Sequence, residues 1–239
     1  MGEWKAVLNA IGDLVEEAMF ICNSDGITFR GMDPSHVALL DVTFPTSSFE
    51  ELESRTSFFG IRVDDFKTVM NTVSNEDVME LVINDQGIMK ISITGTLPSE
   101  YNIRLVERTE VNTPIPKTEY IAKVSLEPDI LNRILSNIEK ISEYVTIECN
   151  PNGVEFSGKG DVGDAKINLE RGNPELKDLS SVETSSAAYS LEYMAKIIRD
   201  IGRASKKVNL EYATRNPIHI GFEMPSMVRV EYYLAPRIE

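Results

Sequence analysis

Positive charge is scarce in this sequence: 24 Lys and Arg stand against 38 Asp and Glu, a formal net charge of −14. Alone, that balance argues against a nucleic-acid partner, because phosphate binding needs clustered cations. Histidine is scarcer still. The two present, His36 and His219, have no second His and no Cys at ligand spacing, which argues against a zinc site or a Cys-His pair. The two cysteines, Cys22 and Cys149, lie far apart without a Cys-x-x-Cys spacing, so they read as core residues and not as a metal knuckle or a disulfide framework. No run approaches the roughly 20 apolar residues of a membrane helix. Met1 to Ala10 lacks the basic-then-apolar order of a secretory signal. The expectation is a soluble intracellular chain, and 239 residues at 42% hydrophobic suffice for one large domain or two ordinary ones.

What is there is a repeat. Trp4, Val7, Leu8, Ile11, Leu14 and Val15 recur at helical spacing, followed by the apolar run Met19 to Cys22, the turn Asn23-Ser24-Asp25-Gly26 and the strand-like Ile27 to Arg30. The second half repeats the order: a helical stripe of Ile130, Leu131, Ile134, Leu135 and Ile138, alternation over Tyr144 to Cys149, the turn Asn150-Pro151-Asn152-Gly153, and Val154 to Phe156. Two further stripes, Phe66-Val69-Met70-Val73 and Leu191-Met194-Ile197-Ile198-Ile201, each precede strand pairs around Gln86-Gly87 and Asn216-Pro217. Three of the four helices also follow a strand: Phe58 to Val63, Tyr120 to Leu126 and Glu183 to Ser190. The first has only Met1 to Glu3 before it, so by the logic of the repeat a leading strand is missing, through truncation or a late start.

Two prolines break both periodicities in residues 110–119, which read as a linker between domains 1–109 and 120–239. The expected class is α+β, with two similar domains that each gather two helices on one face of an antiparallel sheet.

The cations concentrate on the last helix and the loop after it. Lys196, Arg199, Arg203, Lys206 and Lys207 sit there with Asp200 as the single acid among them, and the first three share one helical side away from the apolar stripe. Lys5, Lys67, Arg133 and Lys140 are expected on the solvent sides of the other helices. If these faces line one surface, they would contact phosphates without reading bases, giving salt-sensitive attraction that permits sliding. Acid elsewhere would keep DNA off the remaining surface, which reconciles the net charge with a nucleic-acid partner.

Gly158-Lys159-Gly160-Asp161-Val162-Gly163 fits the G-x-G-x-x-G pattern of dinucleotide sites. Such a site needs a helix beginning at the last glycine, but Ala165, Ile167 and Leu169 alternate as a strand, so a glycine-rich hairpin is expected. No catalytic motif emerges. The acids leave a carboxylate-pair enzyme open as an alternative.

Gly31-Met32-Asp33-Pro34-Ser35-His36-Val37-Ala38-Leu39-Leu40 and the ending Tyr232-Tyr233-Leu234-Ala235-Pro236-Arg237-Ile238-Glu239 resemble proliferating cell nuclear antigen. The resemblance takes in Asn75-Glu76-Asp77, Ile115 to Tyr120 and Gly153 to Ser157, and the compact ending is similar to archaeal members. It implies a DNA sliding clamp with no enzymatic activity and no cofactor or metal. It further implies a trimeric ring around duplex DNA, lined by helices and walled by sheets. A loader would open the ring, and DNA polymerase, flap endonuclease and DNA ligase would dock on it. For this chain the alternatives are a subunit of a heterotrimer and an enzyme using nucleotides at the glycine-rich turn. The resemblance places a client-peptide pocket at Met32, His36, Val37, Leu39, Ile115, Pro116, Pro217, Tyr233, Leu234, Ala235 and Pro236, with a rim made more polar by Thr113 and Asn216. It places subunit contacts on two edge strands, Glu100 to Glu107 and Val162 to Leu169. Their apolar rows are Tyr101, Ile103 and Leu105 on one and Ala165, Ile167 and Leu169 on the other.

Overall fold

The computed structural model describes residues 2–53, 57–107 and 113–238. The first half begins with helix α1 (Gly2–Leu14), strands β1 (Glu17–Asn23), β2 (Gly26–Met32), β3 (Ala38–Pro45) and β4 (Ser57–Arg62), and helix α2 (Val63–Met70). Strands β5 (Val78–Ile83), β6 (Ile88–Thr94) and β7 (Ser99–Arg104) complete it. The second half adds β8 (Ala122–Leu126), α3 (Pro128–Ile138), β9 (Tyr144–Asn150), β10 (Gly153–Gly160), β11 (Gly163–Glu170) and β12 (Leu176–Ser180). It ends with β13 (Ser185–Ser190), α4 (Leu191–Gly202), β14 (Lys207–Tyr212), β15 (Ile218–Glu223) and β16 (Arg229–Leu234).

The helices form where the stripes place them. Leu131, Ile134, Leu135 and Ile138 are the buried side of α3, which opens on Pro128 in the first turn, where a missing N–H costs no intrahelical bond. Met194, Ile197, Ile198 and Ile201 are buried on α4. In the first half Trp4 of α1 stacks on Phe44 of β3, ring centroids 3.8 Å apart.

Strand order reveals the repeat in three dimensions. The run β3-β2-β1-β4 in the first half recurs as β11-β10-β9-β13 in the second, and β5-β6-β7 recurs as β14-β15-β16. The turns match as well. In both halves an Asn side chain accepts an N–H two residues on, Asn23 from Asp25 and Asn150 from Asn152, each at 2.8 Å. The glycine after it, Gly26 or Gly153, lies so close to the third strand that a Cβ would meet the carbonyl oxygen of Phe44 or Leu169.

The halves join through β16 and β3, antiparallel from Arg229↔Thr43 to Leu234↔Ala38, which merges most strands into one nine-stranded sheet. On its inner side α4 packs against α1, α1 against α2 and α3 against α4. Apolar residues from both halves form one contiguous core. Strands β7 and β11 end their own sheets, and among the described residues β5 has a partner only on its β6 side, whereas its counterpart β14 is flanked by both β15 and β8. Val78, Val82 and Ile83 of β5 are accordingly exposed, while Val208, Leu210 and Tyr212 of β14 are buried.

The glycine-rich segment is the expected hairpin. β10 pairs with β11 from Gly153↔Glu170 to Gly160↔Gly163, leaving Asp161-Val162 as the turn, and no helix begins there. A Cβ on Gly160 would strike the Ile141 carbonyl, so that glycine answers to a close backbone approach and not to a phosphate. Residues 110–112 of the expected linker lie outside the described residues. The first regular element after the linker begins at Ala122, two residues later than the Tyr120 start expected from sequence.

Candidate functional site

Three surfaces hold the residues singled out by sequence. The cationic one is uneven. Arg199 of α4, Arg203 and Lys206 just beyond it, and Arg133 and Lys140 of the α3 region are exposed. Lys196 pairs with Glu192 at 3.6 Å, Lys207 with Glu223 at 3.6 Å and Arg199 with Glu139 at 3.8 Å, contacts loose enough to leave the charges available. The first half offers less. Lys5 is not on an open solvent side: it is half-buried, and its Nζ donates to the Val73 carbonyl oxygen at 2.7 Å, just beyond α2. An unsatisfied carbonyl after a helix end attracts an ammonium, a demand no stripe pattern reveals. Lys67 is half-buried beside Asp200. The Asp200 carboxyl is pushed up to about 6, first by burial and then by the Asp13 carboxylate, against the pull of Lys67, Arg199 and Lys196. One of its oxygens is buried without a hydrogen-bond partner. The four helices therefore do not share an equal basic bias, and the second half carries most of it.

On the opposite face of the long sheet a single cross-strand rank joins segments far apart in sequence. Met32 of β2 is paired with Leu39 of β3, Leu39 with Tyr233 of β16, and Tyr233 with His219 of β15. Leu39 is buried although its neighbours Ala38 and Leu40 take the core side. Val37 sits beside the tail, its carbonyl accepting the Ala235 N–H at 2.9 Å. Pro217, Ala235, Pro236, Ile115 and Pro116 are half-buried, and His36 is exposed in a left-handed backbone conformation at φ 58°. Leu234 differs: it is fully buried and belongs to the core, because strand alternation that turns Tyr233 outward turns its neighbour inward. Thr113 is buried and Asn216 exposed, so of the two positions expected to make the rim polar only Asn216 is open.

Sequence reasoning missed Asp33, which builds the loop between β2 and β3. Its carboxylate accepts N–H groups from Ser35, Val37 and Ala38 at 3.0, 2.7 and 2.6 Å and the Tyr193 hydroxyl at 3.0 Å. Burial works against that charge, but the four donors outweigh it and hold the carboxyl below its ordinary value. The available signal was Asp-Pro-Ser, the wording of an Asx turn. Tyr193 comes from α4, so the same bond set ties the loop to the second half. Glu211 and Glu231, which flank His219, were missed too; nothing in a strand's own sequence announces its cross-strand neighbours.

The third surface comprises strands β7 and β11, each at one end of its own sheet. Here the side chains do not face outward in a row. Ile103 and Leu169 are buried in the core, and Tyr101, Leu105, Ala165 and Ile167 pack against it, because each strand's apolar side faces its own helices. What β7 and β11 offer another chain is unpaired backbone.

The family models for the N-terminal and C-terminal domains of proliferating cell nuclear antigen match residues 3–100 and 114–237. A DNA polymerase sliding clamp of Cenarchaeum symbiosum is 38% identical over 98% of this chain and 94% of its own length, and one of Nitrosopumilus maritimus is 36% identical over the same shares. Among solved structures, proliferating cell nuclear antigen from Thermococcus kodakaraensis superposes with a TM-score of 0.92 at 20% identity, covering 98% of this chain and 96% of that one. A chain of the PCNA2–PCNA3 complex from Sulfolobus tokodaii gives 0.90 at 22% identity, covering 100% and 97%. The chain belongs to the proliferating cell nuclear antigen family of DNA polymerase sliding clamps, whose members are processivity factors and not enzymes.

Proposed function

We propose that this chain assembles head to tail into a trimeric ring that encircles duplex DNA and docks replication and repair proteins on its outer sheet. One observation carries the reading. The junction between the halves is built from β16 with α4 on one side and β3 with α1 on the other. Their counterparts in the repeat, β7 with α2 and β11 with α3, each stand at one end of a separate sheet. Joining β7 of one copy to β11 of the next would repeat the internal junction. A contact between different surfaces closes a ring when its rotation closes and otherwise grows a filament. Helices α1 to α4 would line the hole, where the exposed cations of α3 and α4 meet phosphates without reading sequence.

In this reading the domains are 1–109 and 120–239, with residues 110–119 as the linker between them. Client peptides of polymerase, flap endonuclease and ligase would occupy the rank from Met32 to Tyr233, covered by Ile115 and Pro116. A clamp loader would open the ring, and the protein would work inside the cell on DNA. Native mass spectrometry and sedimentation at tens of micromolar test the assembly. A mass of three chains is expected, and a monomer at those concentrations overturns the homotrimer. The likeness to a chain from a PCNA2–PCNA3 complex favours a second reading, a subunit of a heteromeric ring, which predicts a monomer that trimerises only with a different clamp chain.

A further inference from the structure

His219 sits where three strands and the linker end converge. Its Nδ1 lies 3.0 Å from Glu211 Oε2 on β14, and its Nε2 lies 2.5 Å from Glu231 Oε2 on β16. The imidazole stacks with two tyrosines. Tyr233, on the client-pocket rank, has its ring centroid 4.8 Å away at 19°, and Tyr120, at the end of the linker, lies 5.7 Å away at 26°. The next residue, Ile121, fixes the linker end by donating its N–H to the Tyr212 carbonyl at 3.1 Å. Further charges stand around this centre. Lys123 of β8 bonds Glu211 at 2.6 Å, Asp41 of β3 is paired with Glu231 across the ladder, and Arg30 of β2 bonds Asp41 at 2.8 Å. Lys123 and Arg30 thus answer Glu211 and Asp41, leaving Glu231 chiefly to the imidazole.

A ring bridging two carboxylates has a definite chemistry. Imidazolium donates from both nitrogens, whereas neutral imidazole donates from one and turns a lone pair toward the other carboxylate. We propose that His219 is a positioning residue of the client pocket: its imidazolium, held between Glu211 and Glu231, fixes Tyr233 in the pocket wall and Tyr120 at the linker end, so that client peptides dock more tightly when it is protonated. The proposal rests on the pocket reading above. Burial favours the neutral ring, but the hydrogen bonds to Glu231 and Glu211 outweigh it and raise the imidazole above its ordinary value. Glu211 is held low, its burial outweighed by Lys123 and His219. The Tyr233 hydroxyl, pushed up to about 12 by burial and then by Glu231, stays protonated throughout the range that matters.

The test is calorimetric titration from pH 5.5 to 8.5 with an acetylated flap-endonuclease tail peptide that contains no histidine. It compares wild type, His219→Gln, His36→Gln and the pocket variant Leu39→Ser with Ile115→Ser. Wild-type affinity is expected to fall about three- to tenfold across that range, the equivalent of a half- to one-unit rise of the imidazole on binding. His219→Gln should show no such slope, and His36→Gln should keep it. A slope retained in His219→Gln, or absent from wild type, overturns the proposal. Undiminished binding by the pocket variant overturns the pocket reading instead. Should His219→Gln fail to fold, the ring proton of His219 followed by NMR in wild type decides. Its titration should move to higher pH when peptide is bound, and an unmoved titration overturns the proposal.

Discussion

Tyr232 of β16 and Leu40 of β3 lie opposite each other in the ladder that joins the two halves, both buried in the common core. They come from opposite ends of the chain, so tertiary packing and not local sequence brings them together. The free strands β7 and β11 are the same two positions of the repeat with the halves exchanged.

The proposed assembly through those edges would be a matter of backbone, which dictates the first experiment. Successive N–H groups along a strand alternate between the two sides. Of Lys166→Pro and Ile167→Pro on β11, one therefore removes a hydrogen bond to β10, and the other removes a donor from the free edge. Thermal unfolding should identify the second as the better folded variant. Sedimentation should show that same variant shifted from trimer toward monomer. Two well-folded trimers would rule out the β11 edge.

Reversing charge at the end of α4 probes the proposed DNA-facing surface. Arg199 and Arg203 are exposed near the helix end, and Glu keeps good helix propensity. Arg199→Glu with Arg203→Glu should leave the fold and the trimer intact. The dependence of DNA affinity on salt should flatten by about 1 to 2 logarithmic units of slope. An unchanged slope, with unchanged polymerase stimulation, would mean these cations face only water.

The pocket is tested by making its wall polar. Leu39 is buried on the side away from the core, and burying an aliphatic or aromatic client anchor there contributes roughly 1.5 to 3 kcal/mol before ordering costs. Leu39→Ser with Ile115→Ser should lower peptide affinity at least about tenfold in titration calorimetry, with trimer mass unchanged. Equal affinity in a well-folded variant points to docking elsewhere.

Asp200 supplies a pH signature. Its carboxyl is raised from an ordinary 3.8 to about 6, so between those values the folded state holds the proton more tightly than the unfolded state. Its contribution is therefore most favourable below about pH 4, falls as pH rises and is fully unfavourable above about 6. The group is partly open to solvent, so the penalty is roughly 1 kcal/mol rather than the larger value of a sealed site. Asp200→Asn should be more stable than wild type by about that much at pH 7.5, with the gain disappearing near pH 4. A gain independent of pH would assign it to packing instead.

The elements were legible in the sequence because each carries its own period. Leu131 to Ile138 and Leu191 to Ile201 read as helices and are helices. The turn residues Asn23 and Asn150 mark the same corner of both halves. What a period cannot give is a partner. The β16·β3 pairing joins residues from opposite ends of the chain, and no local pattern encodes it. For the same reason the resemblance groups Leu234 with Tyr233 in the pocket, although adjacent strand residues face opposite ways and Leu234 belongs to the core. Lys5 looked like a free cation because its acceptor, the Val73 carbonyl, belongs to a helix end 68 residues away.

The continuous nine-stranded sheet has a mechanical consequence. In a ring of such chains the sheet-to-sheet joints alternate between two kinds of equal geometry and unequal toughness. Those within a chain are backed by a shared core, the Asp33–Tyr193 bond and a covalent linker. Those between chains would have only β7 against β11 and α2 against α3. A torque applied to the ring would be carried stiffly through each chain and relieved at the joints between them. In such a ring the hinge of opening would be fixed by where the polypeptide is continuous.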